Sequence, residues 1–186
     1  MTLNLFSRRS VQFASGFVAI LLLTLSIQAW SQDLPVARET WGNDTSVAAV
    51  GRFYIAGQPD LEALQQAKEN GVSIVINLRM SSEFDWDEAG AAASAALDYH
   101  QVPVRGGRPE LDASAMQAIT DIVEASPDAQ VMVHCASGNR AAAWLAVYLA
   151  ENQGVSADEA VAVANRAGLT REGMENKVRA YLENQP

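Results

Sequence analysis

The sequence predicts an α/β domain in which helices cover both faces of a mainly parallel sheet and a further helical layer follows at the C-terminal end. Short runs rich in β-branched residues alternate with helical patterns along the chain, and this alternation is typical of parallel sheets. The run 130–134 leads through a short loop into the apolar segment 140–152. Ligands of such sheets bind at the carboxyl ends of the strands, so a site is expected at this turn.

The first residues have the pattern of an export signal. Arg8 and Arg9 form a positively charged front, and a largely apolar stretch over 11–29 follows them. We expect 1–31 to be removed and the protein to be exported, into the periplasm if the source is a Gram-negative bacterium. The alternative is an uncleaved segment that anchors the protein to the membrane, because the apolar stretch is about long enough to span a bilayer.

The charge balance of the chain is acidic. The formal net charge is −9 at pH 7, and it becomes −11 without Arg8 and Arg9. An acidic surface repels polyanions, so nucleic acid is disfavoured as a partner, and so are membranes once the signal is cleaved. No feature of the sequence determines the oligomeric state.

The folded domain is predicted over 51–186, after a polar and irregular lead-in over 32–50. A short strand is expected at 52–56. The turn Gly57-Gln58-Pro59 then starts a helix over 60–70, whose apolar residues share one face.

The alternation continues through the middle of the chain. Residues 72–78 are rich in β-branched side chains and predict a central strand, which ends at Arg79 before a polar loop. The alanine-rich segment 88–96 favours a helix. Another strand is predicted within 97–104.

Four further helices are predicted in the C-terminal half. Asp112 or Ser114 caps the first of them, after the glycine-rich loop 105–110. Segment 140–152 is apolar almost all round, which is typical of a buried helix. The last two helices begin at a capping box over 156–159 and after Thr170.

The loop that follows the strand at 130–134 has the features of an anion site. Cys135 lies at the positive end of the following helix, and both the helix dipole and Arg140 favour its reactive thiolate. The fork of donors on Arg140 matches two oxygens of one oxyanion. A lone cysteine is more often a buried apolar residue and a lone arginine a solvated charge, but their coincidence in one turn favours a site. The residues expected to bind the anion are Ala136, Ser137, Gly138, Asn139 and Arg140.

Neither a metal nor another cofactor is predicted. The chain has one cysteine, which excludes an intramolecular disulfide. Cys135, His134 and His100 are the strong soft ligands, and their spacing matches no common metal motif. The expected ligand is therefore a small anionic substrate.

Three stretches together carry a family resemblance: Gly57-Gln58-Pro59, Val75-Ile76-Asn77-Leu78-Arg79 and His134-Cys135-Ala136-Ser137-Gly138-Asn139-Arg140. They resemble the phosphatase-like domain of beta-lactamase-hydrolase-like proteins, a branch of the tyrosine and dual-specificity phosphatase superfamily. The resemblance implies a three-layer α/β/α phosphotyrosine-phosphatase-like fold. It also implies that Cys135 is the nucleophile and Arg140 the oxyanion clamp.

The chain departs from that superfamily in three ways. Four residues separate Cys135 from Arg140, where the superfamily has five, and this loop length is similar to that of the rhodaneses. Ala141 stands where a hydroxyl residue usually follows the arginine. No aspartate is plainly placed to protonate a leaving group; Asp112 is the candidate, and a helix cap is its alternative role.

Three functions follow from these observations. In the first, Cys135 attacks a phosphomonoester and forms a phosphocysteine that water hydrolyses. In the second, Cys135 carries a persulfide in a rhodanese-like sulfurtransferase, which needs no general acid. In the third, the domain binds an anion or a partner without catalysis. We rank the phosphatase narrowly before the sulfurtransferase and the binding module last.

Arg79 and His134 have predicted supporting roles near the anion site. Arg79 either reaches the anion site from its own strand end or forms an ion pair with Glu83 or Asp85. His134 is expected to point away from the substrate, because side chains alternate along a strand. It would then be a hydrogen-bonded structural residue that orients the loop.

Overall fold

The computed structural model of the chain describes residues 34–184, and six strands of this range form one sheet. In chain order they are β1 (Ala37–Trp41), β2 (Thr45–Val50), β3 (Phe53–Ala56), β4 (Val72–Asn77), β5 (Asp98–Gln101) and β6 (Gln130–His134). Their order across the sheet is β1-β2-β3-β6-β4-β5. The pairings β3–β6, β6–β4 and β4–β5 are parallel, which confirms the mainly parallel sheet.

Six helices cover the two faces of the sheet. They are α1 (Leu61–Glu69), α2 (Glu88–Ser94), α3 (Ala113–Glu124), α4 (Asn139–Asn152), α5 (Ala157–Ala167) and α6 (Glu172–Glu183). Alternation along β6 separates the two cores: Met132 packs with α1 and α2, whereas Val131 and Val133 pack with the other helices. Helices α4, α5 and α6 contact one another, so the three-layer α/β/α fold and its C-terminal helical layer are confirmed.

The predicted irregular lead-in over 32–50 is wrong for residues 37–50. This segment forms β1 and β2, an antiparallel pair that extends the sheet beyond β3. The buried side chains of Trp41 and Val47 hold the pair against α1. The sequence does not indicate β1 because it is an edge strand with four exposed residues, and its polar composition resembles that of a loop.

The turn between β1 and β2 is fastened to α1. Gly42 has a left-handed φ of +57°, and its N–H donates to Oε1 of Gln66 at 3.1 Å. The backbone N–H of Asn43 donates to Asp60 at 3.0 Å. Asp60 also caps α1 by accepting from the N–H of Ala63 at 2.7 Å. One carboxylate thus joins the hairpin to the helix.

The other predicted elements form with small shifts at their ends. Asp112, not Ser114, caps α3, and Ser156 caps α5. The strand expected within 97–104 is short, yet pairing continues past it, because Val104 donates to the carbonyl of Leu78 at 3.0 Å. The predicted signal segment 1–31 lies outside the described residues, so export stays a prediction.

Helix α4 is buried along most of its length, as its composition predicts. Residues from Asn139 to Leu149 are all buried, and Trp144 and Tyr148 each pack edge-on against the ring of Phe53. The indole N–H of Trp144 donates to Oγ1 of Thr120 at 3.2 Å, which satisfies its polar atom. In the part of the chain that the structure describes, no helix is long and apolar enough to cross a membrane.

Candidate active site

Cys135 lies directly after β6, at the floor of a cavity of about 370 Å³. Its residue is 1% exposed, and its N–H donates to the carbonyl of Ala56 at 3.3 Å. The cavity is lined by Cys135 and the residues after it, by Glu83, by Gly106 and Gly107, and by the beginning of α6. The carboxyl edge of the parallel strands therefore holds the site, as the fold predicts.

The cradle, residues 135–140, is shaped by its connection to β3. The N–H of Gln58 donates to the carbonyl of Ala136 at 3.4 Å, and Ser137 bridges to Gly57. Gly138 has a φ of +83° and is the N-cap of α4. Because the first N–H groups of a helix have no partners within it, the turn offers donors for an anion.

Arg140 is held rigidly beside Cys135. Its Nη1 donates to the carbonyl oxygens of Leu78 at 3.2 Å and Val104 at 2.9 Å. Glu83 accepts from the end of the guanidinium, with Oε1 at 2.8 Å from Nη1 and Oε2 at 2.6 Å from Nη2. These contacts use the end of the fork. They leave the side edge, formed by Nε–H and the second Nη2–H, for an oxyanion.

The electrostatics of this pair are strongly coupled. Burial opposes the charge on Arg140, but the carboxylate of Glu83 and the sulfur of Cys135 raise the pKa of the guanidinium above its ordinary value. The hydrogen bond from Arg140 lowers the pKa of Glu83 to about 2. Both groups are therefore ionised at neutral pH, and Glu83 is not a proton donor.

Arg79 does not line the cavity. Its guanidinium donates to Oε1 of Gln58 and to the carbonyl of Glu83, and its Nε lies 3.8 Å from Oε2 of Glu83. The predicted ion pair with Glu83 is thus present, while the predicted reach into the anion site is not. Glu83 links both arginines, a role that the sequence does not reveal because its partner Arg140 is 57 residues away.

Asp112 also lies outside the residues that line the cavity. Its Oδ1 accepts from the hydroxyl of Ser114 at 2.7 Å and from the N–H of Ala115 at 3.3 Å, and Arg108 donates to Oδ2 at 3.2 Å. The Ser114 hydrogen bond is the largest cause of a pKa below the ordinary value for this carboxyl. Asp112 therefore serves as the cap of α3, and its role as a general acid stays a prediction.

The side chain of Asn139 turns away from the cradle. Its Oδ1 accepts from the N–H of Thr170 at 3.0 Å and of Arg171 at 2.9 Å, and its Nδ2 donates to the hydroxyl of Thr170 at 3.2 Å. Asn139 can offer its backbone N–H to an anion, but its side chain fastens the segment before α6. This connection brings Arg171 to the cavity, which no pattern in the sequence indicates.

His134 does not line the cavity, in agreement with its predicted direction, and its ring faces the buried side chain of Glu88. Its Nε2 lies 2.7 Å from Oε1 of Glu88, and both side chains are fully buried. Oε2 of Glu88 accepts from Asn77 at 2.9 Å and from Gln58 at 3.1 Å. Glu88 thus joins β6, β4 and the turn after β3 directly beneath the cradle. The sequence identifies this residue only as the beginning of a helix.

Comparisons with known proteins agree with this geometry. The sequence profile of one family, described as beta-lactamase hydrolase-like protein, phosphatase-like domain, matches residues 47–153. No curated protein matches the chain.

Among the described residues, no group of three or more His, Cys, Asp or Glu side chains is placed to hold a metal ion.

Solved structures of phosphatases share the fold. A putative phosphatase from Shewanella putrefaciens CN-32 is 21% identical, with a TM-score of 0.58, over 78% of this chain and 86% of that chain. TpbA from P. aeruginosa is 17% identical, with a TM-score of 0.61, over 75% of this chain and 84% of that chain. A variant of TpbA with serine in place of a cysteine has been solved in complex with pTyr.

Proposed function

This chain belongs to the family of the phosphatase-like domain of beta-lactamase hydrolase-like proteins, and from this premise we propose that it is a cysteine-dependent phosphatase acting on phosphomonoesters. The observation that carries the proposal is the position of Cys135 in a cavity, beside Arg140, whose hydrogen bonds to Glu83 occupy only the end of its guanidinium. In this proposal Cys135 is the nucleophile, Arg140 binds two phosphoryl oxygens, and the N–H groups of the cradle bind the phosphoryl group.

The reaction has two displacement steps at phosphorus. In the first, the thiolate of Cys135 attacks the phosphorus atom, the S–P bond forms, and the P–O bond to the leaving group breaks. The leaving oxygen keeps the electron pair. In the second, a water molecule attacks the phosphocysteine, which releases inorganic phosphate and regenerates the thiolate. Arg140 stabilises the negative charge on the phosphoryl oxygens in both steps.

The charge state of the cavity favours substrates with good leaving groups. Glu83 is the one carboxylate that lines the cavity within residues 34–184, and it is ionised with a pKa of about 2. The leaving oxygen must then take its proton from water. We therefore expect aryl phosphates to be hydrolysed far faster than alkyl phosphates, with a steep dependence of kcat/KM on the pKa of the leaving group.

Phosphate release from a series of aryl phosphates tests the proposal. Cys135→Ser is expected to lower kcat by at least ~10³-fold while the midpoint of thermal unfolding stays close to that of the wild type. Undiminished turnover in this variant would remove Cys135 from the reaction. If Asp112→Asn slows the hydrolysis of substrates with poor leaving groups more than that of substrates with good ones, Asp112 is the general acid. If the substitution slows both kinds of substrate equally, Asp112 is only a helix cap.

The short loop between Cys135 and Arg140 favours a second candidate, a rhodanese-like sulfurtransferase with a persulfide on Cys135. Intact mass measurement separates the two, after separate incubations with thiosulfate and with an aryl phosphate. A gain of one sulfur atom that a thiol removes supports the sulfurtransferase. A phosphoryl adduct or phosphate release that Cys135→Ser abolishes supports the phosphatase, and neither result supports a non-catalytic anion-binding module.

A further inference from the structure

A second arginine lines the same cavity without a counter-ion. Arg171, the N-cap of α6, lies among the lining residues together with Cys135 and Arg140. Its side chain is exposed, and its guanidinium has no hydrogen bond or ion pair with any residue in the range 34–184. In contrast, the Nη1 and Nη2 atoms of Arg140 donate hydrogen bonds to backbone carbonyls and to Glu83.

The backbone of Arg171 is fixed to the cradle. Its N–H donates to Oδ1 of Asn139 at 2.9 Å, and the neighbouring Thr170 makes two further hydrogen bonds to the same amide. Asn139 is also the first residue of α4, so the base of the Arg171 side chain is held at a set position relative to Cys135. The guanidinium itself stays free to adjust to a ligand.

The carboxylate that lines the cavity is already paired with Arg140. The carboxylate of Glu83 accepts two hydrogen bonds from Arg140, which balances its charge. No second carboxylate among the described residues that line the cavity balances Arg171, so its guanidinium offers a positive charge to a ligand in a protein whose formal net charge is −9. The cavity volume of about 370 Å³ lies within the range of pockets that hold whole small molecules, so there is room for more than a phosphoryl group.

We propose that Arg171 recognises a second anionic group of the substrate, while Cys135 and Arg140 act on the phosphoryl group. The inference rests on the proposed phosphatase function and narrows its substrate class. The preferred substrates are small phosphomonoesters that carry a carboxylate or another phosphate away from the scissile bond. A guanidinium binds either group with paired, charge-assisted hydrogen bonds.

A pair of matched substrates tests this inference. In 4-carboxyphenyl phosphate and 4-carbamoylphenyl phosphate the same ring carries either a charged carboxylate or a neutral amide of similar shape. We expect Arg171→Gln to lower kcat/KM for the carboxylate by about 10-fold relative to the wild type, mainly through KM. The amide substrate should change by less than about 2-fold. Arg171→Lys should restore part of the lost kcat/KM, since it keeps the charge.

Arg108→Gln is the control, because Arg108 pairs with Asp112 outside the cavity and its loss should leave kcat/KM for both substrates unchanged. Equal losses on both substrates in Arg171→Gln would overturn the inference and indicate a structural role. An undiminished kcat/KM for the carboxylate substrate in Arg171→Gln would also overturn it.

If the wild type hydrolyses neither substrate, the proposed function fails separately. Calorimetric binding of inorganic phosphate and pyrophosphate then tests Arg171 without turnover. Weaker binding of pyrophosphate alone in Arg171→Gln would support a second anion subsite. An equal change for both anions, or no change, would overturn it.

Discussion

At the scale of single residues, Glu83 decides how Arg140 is used. It occupies the end of the guanidinium and so leaves the side edge for a ligand. A carboxylate in this position neutralises one arginine without blocking the face that binds oxyanions. The consequence is that the orientation of Arg140 exists before any substrate arrives, which lowers the entropic cost of binding.

The pKa of Glu83 makes the stability of the fold depend on pH. The folded-state value of about 2 lies below the ordinary value of 4.5. The stabilisation is therefore present above pH ~4.5 and is lost as the pH falls through ~2. We expect Glu83→Gln to lower the free energy of unfolding at pH 7, and urea titrations at several pH values should show this difference shrinking toward pH 2.

Phosphatase activity is a second measurement on the Glu83→Gln variant. Glu83→Gln should lower kcat/KM for aryl phosphates, because Arg140 loses the partner that orients it. A difference in unfolding free energy that is the same at pH 7 and pH 2 would contradict the ionic character of the pair.

At the scale of structural elements, the start of α4 depends on a glycine. Gly138 has a left-handed backbone, and a Cβ there would lie 3.6 Å from the carbonyl oxygen of Ala56. That distance is an ordinary van der Waals contact, so the cost comes from the left-handed backbone. We expect Gly138→Ala to cost about 1–2 kcal/mol of stability and to lower activity, because relaxing this backbone moves the N–H groups of the cradle. Chemical unfolding and phosphatase assays measure the two effects.

The opposite end of α4 offers a matched control. Gly154 also has a left-handed φ, of +67°, but a Cβ there would meet nothing within 4 Å. Gly154→Ala should carry a similar backbone cost and leave activity unchanged. If both variants lose activity equally, the effect is one of stability and not of the cradle.

The network around Glu88 connects three elements beneath the cradle. Its buried carboxylate contacts His134 and accepts hydrogen bonds from Asn77 and Gln58. We expect Glu88→Gln to lower the free energy of unfolding by about 3 kcal/mol, because an amide has one acceptor oxygen where the carboxyl group has two, so a buried partner is left unsatisfied. Tyr99→Phe removes one outer hydrogen bond, from Asn77 at 2.9 Å, and should cost about 1 kcal/mol.

Urea unfolding of the two variants provides the comparison. If Glu88→Gln costs no more than Tyr99→Phe, then the carboxylate is not the centre of the network.

At the scale of the whole molecule, the parts that the sequence predicts are those set by local patterns. Cys135, its loop and Arg140 lie within six residues, so their meeting follows from one strand, one turn and one helix. The parallel strands β3, β4 and β6 are visible because most of their residues are buried on both faces, which favours apolar runs. The same logic fails for β1, where exposure on the sheet edge removes the apolar signal.

The parts that the sequence does not predict depend on tertiary packing. Glu83 and Arg171 reach the cavity from a loop after β4 and from the start of α6, and each looks like an ordinary solvated charge in the sequence. Glu88 is hidden in the same way, since only the folded chain brings it to His134. Local periodicity carries no information about which distant polar residues will meet.

The burial of Cys135 also decides how the protein would respond to oxidants. The thiol is 1% exposed and is reached through a cavity of about 370 Å³, so a small peroxide can approach where a bulky protein thiol cannot. A sulfenic acid formed there has no second cysteine in this chain with which to condense. Its reduction therefore falls to small diffusible thiols, and further oxidation would be irreversible.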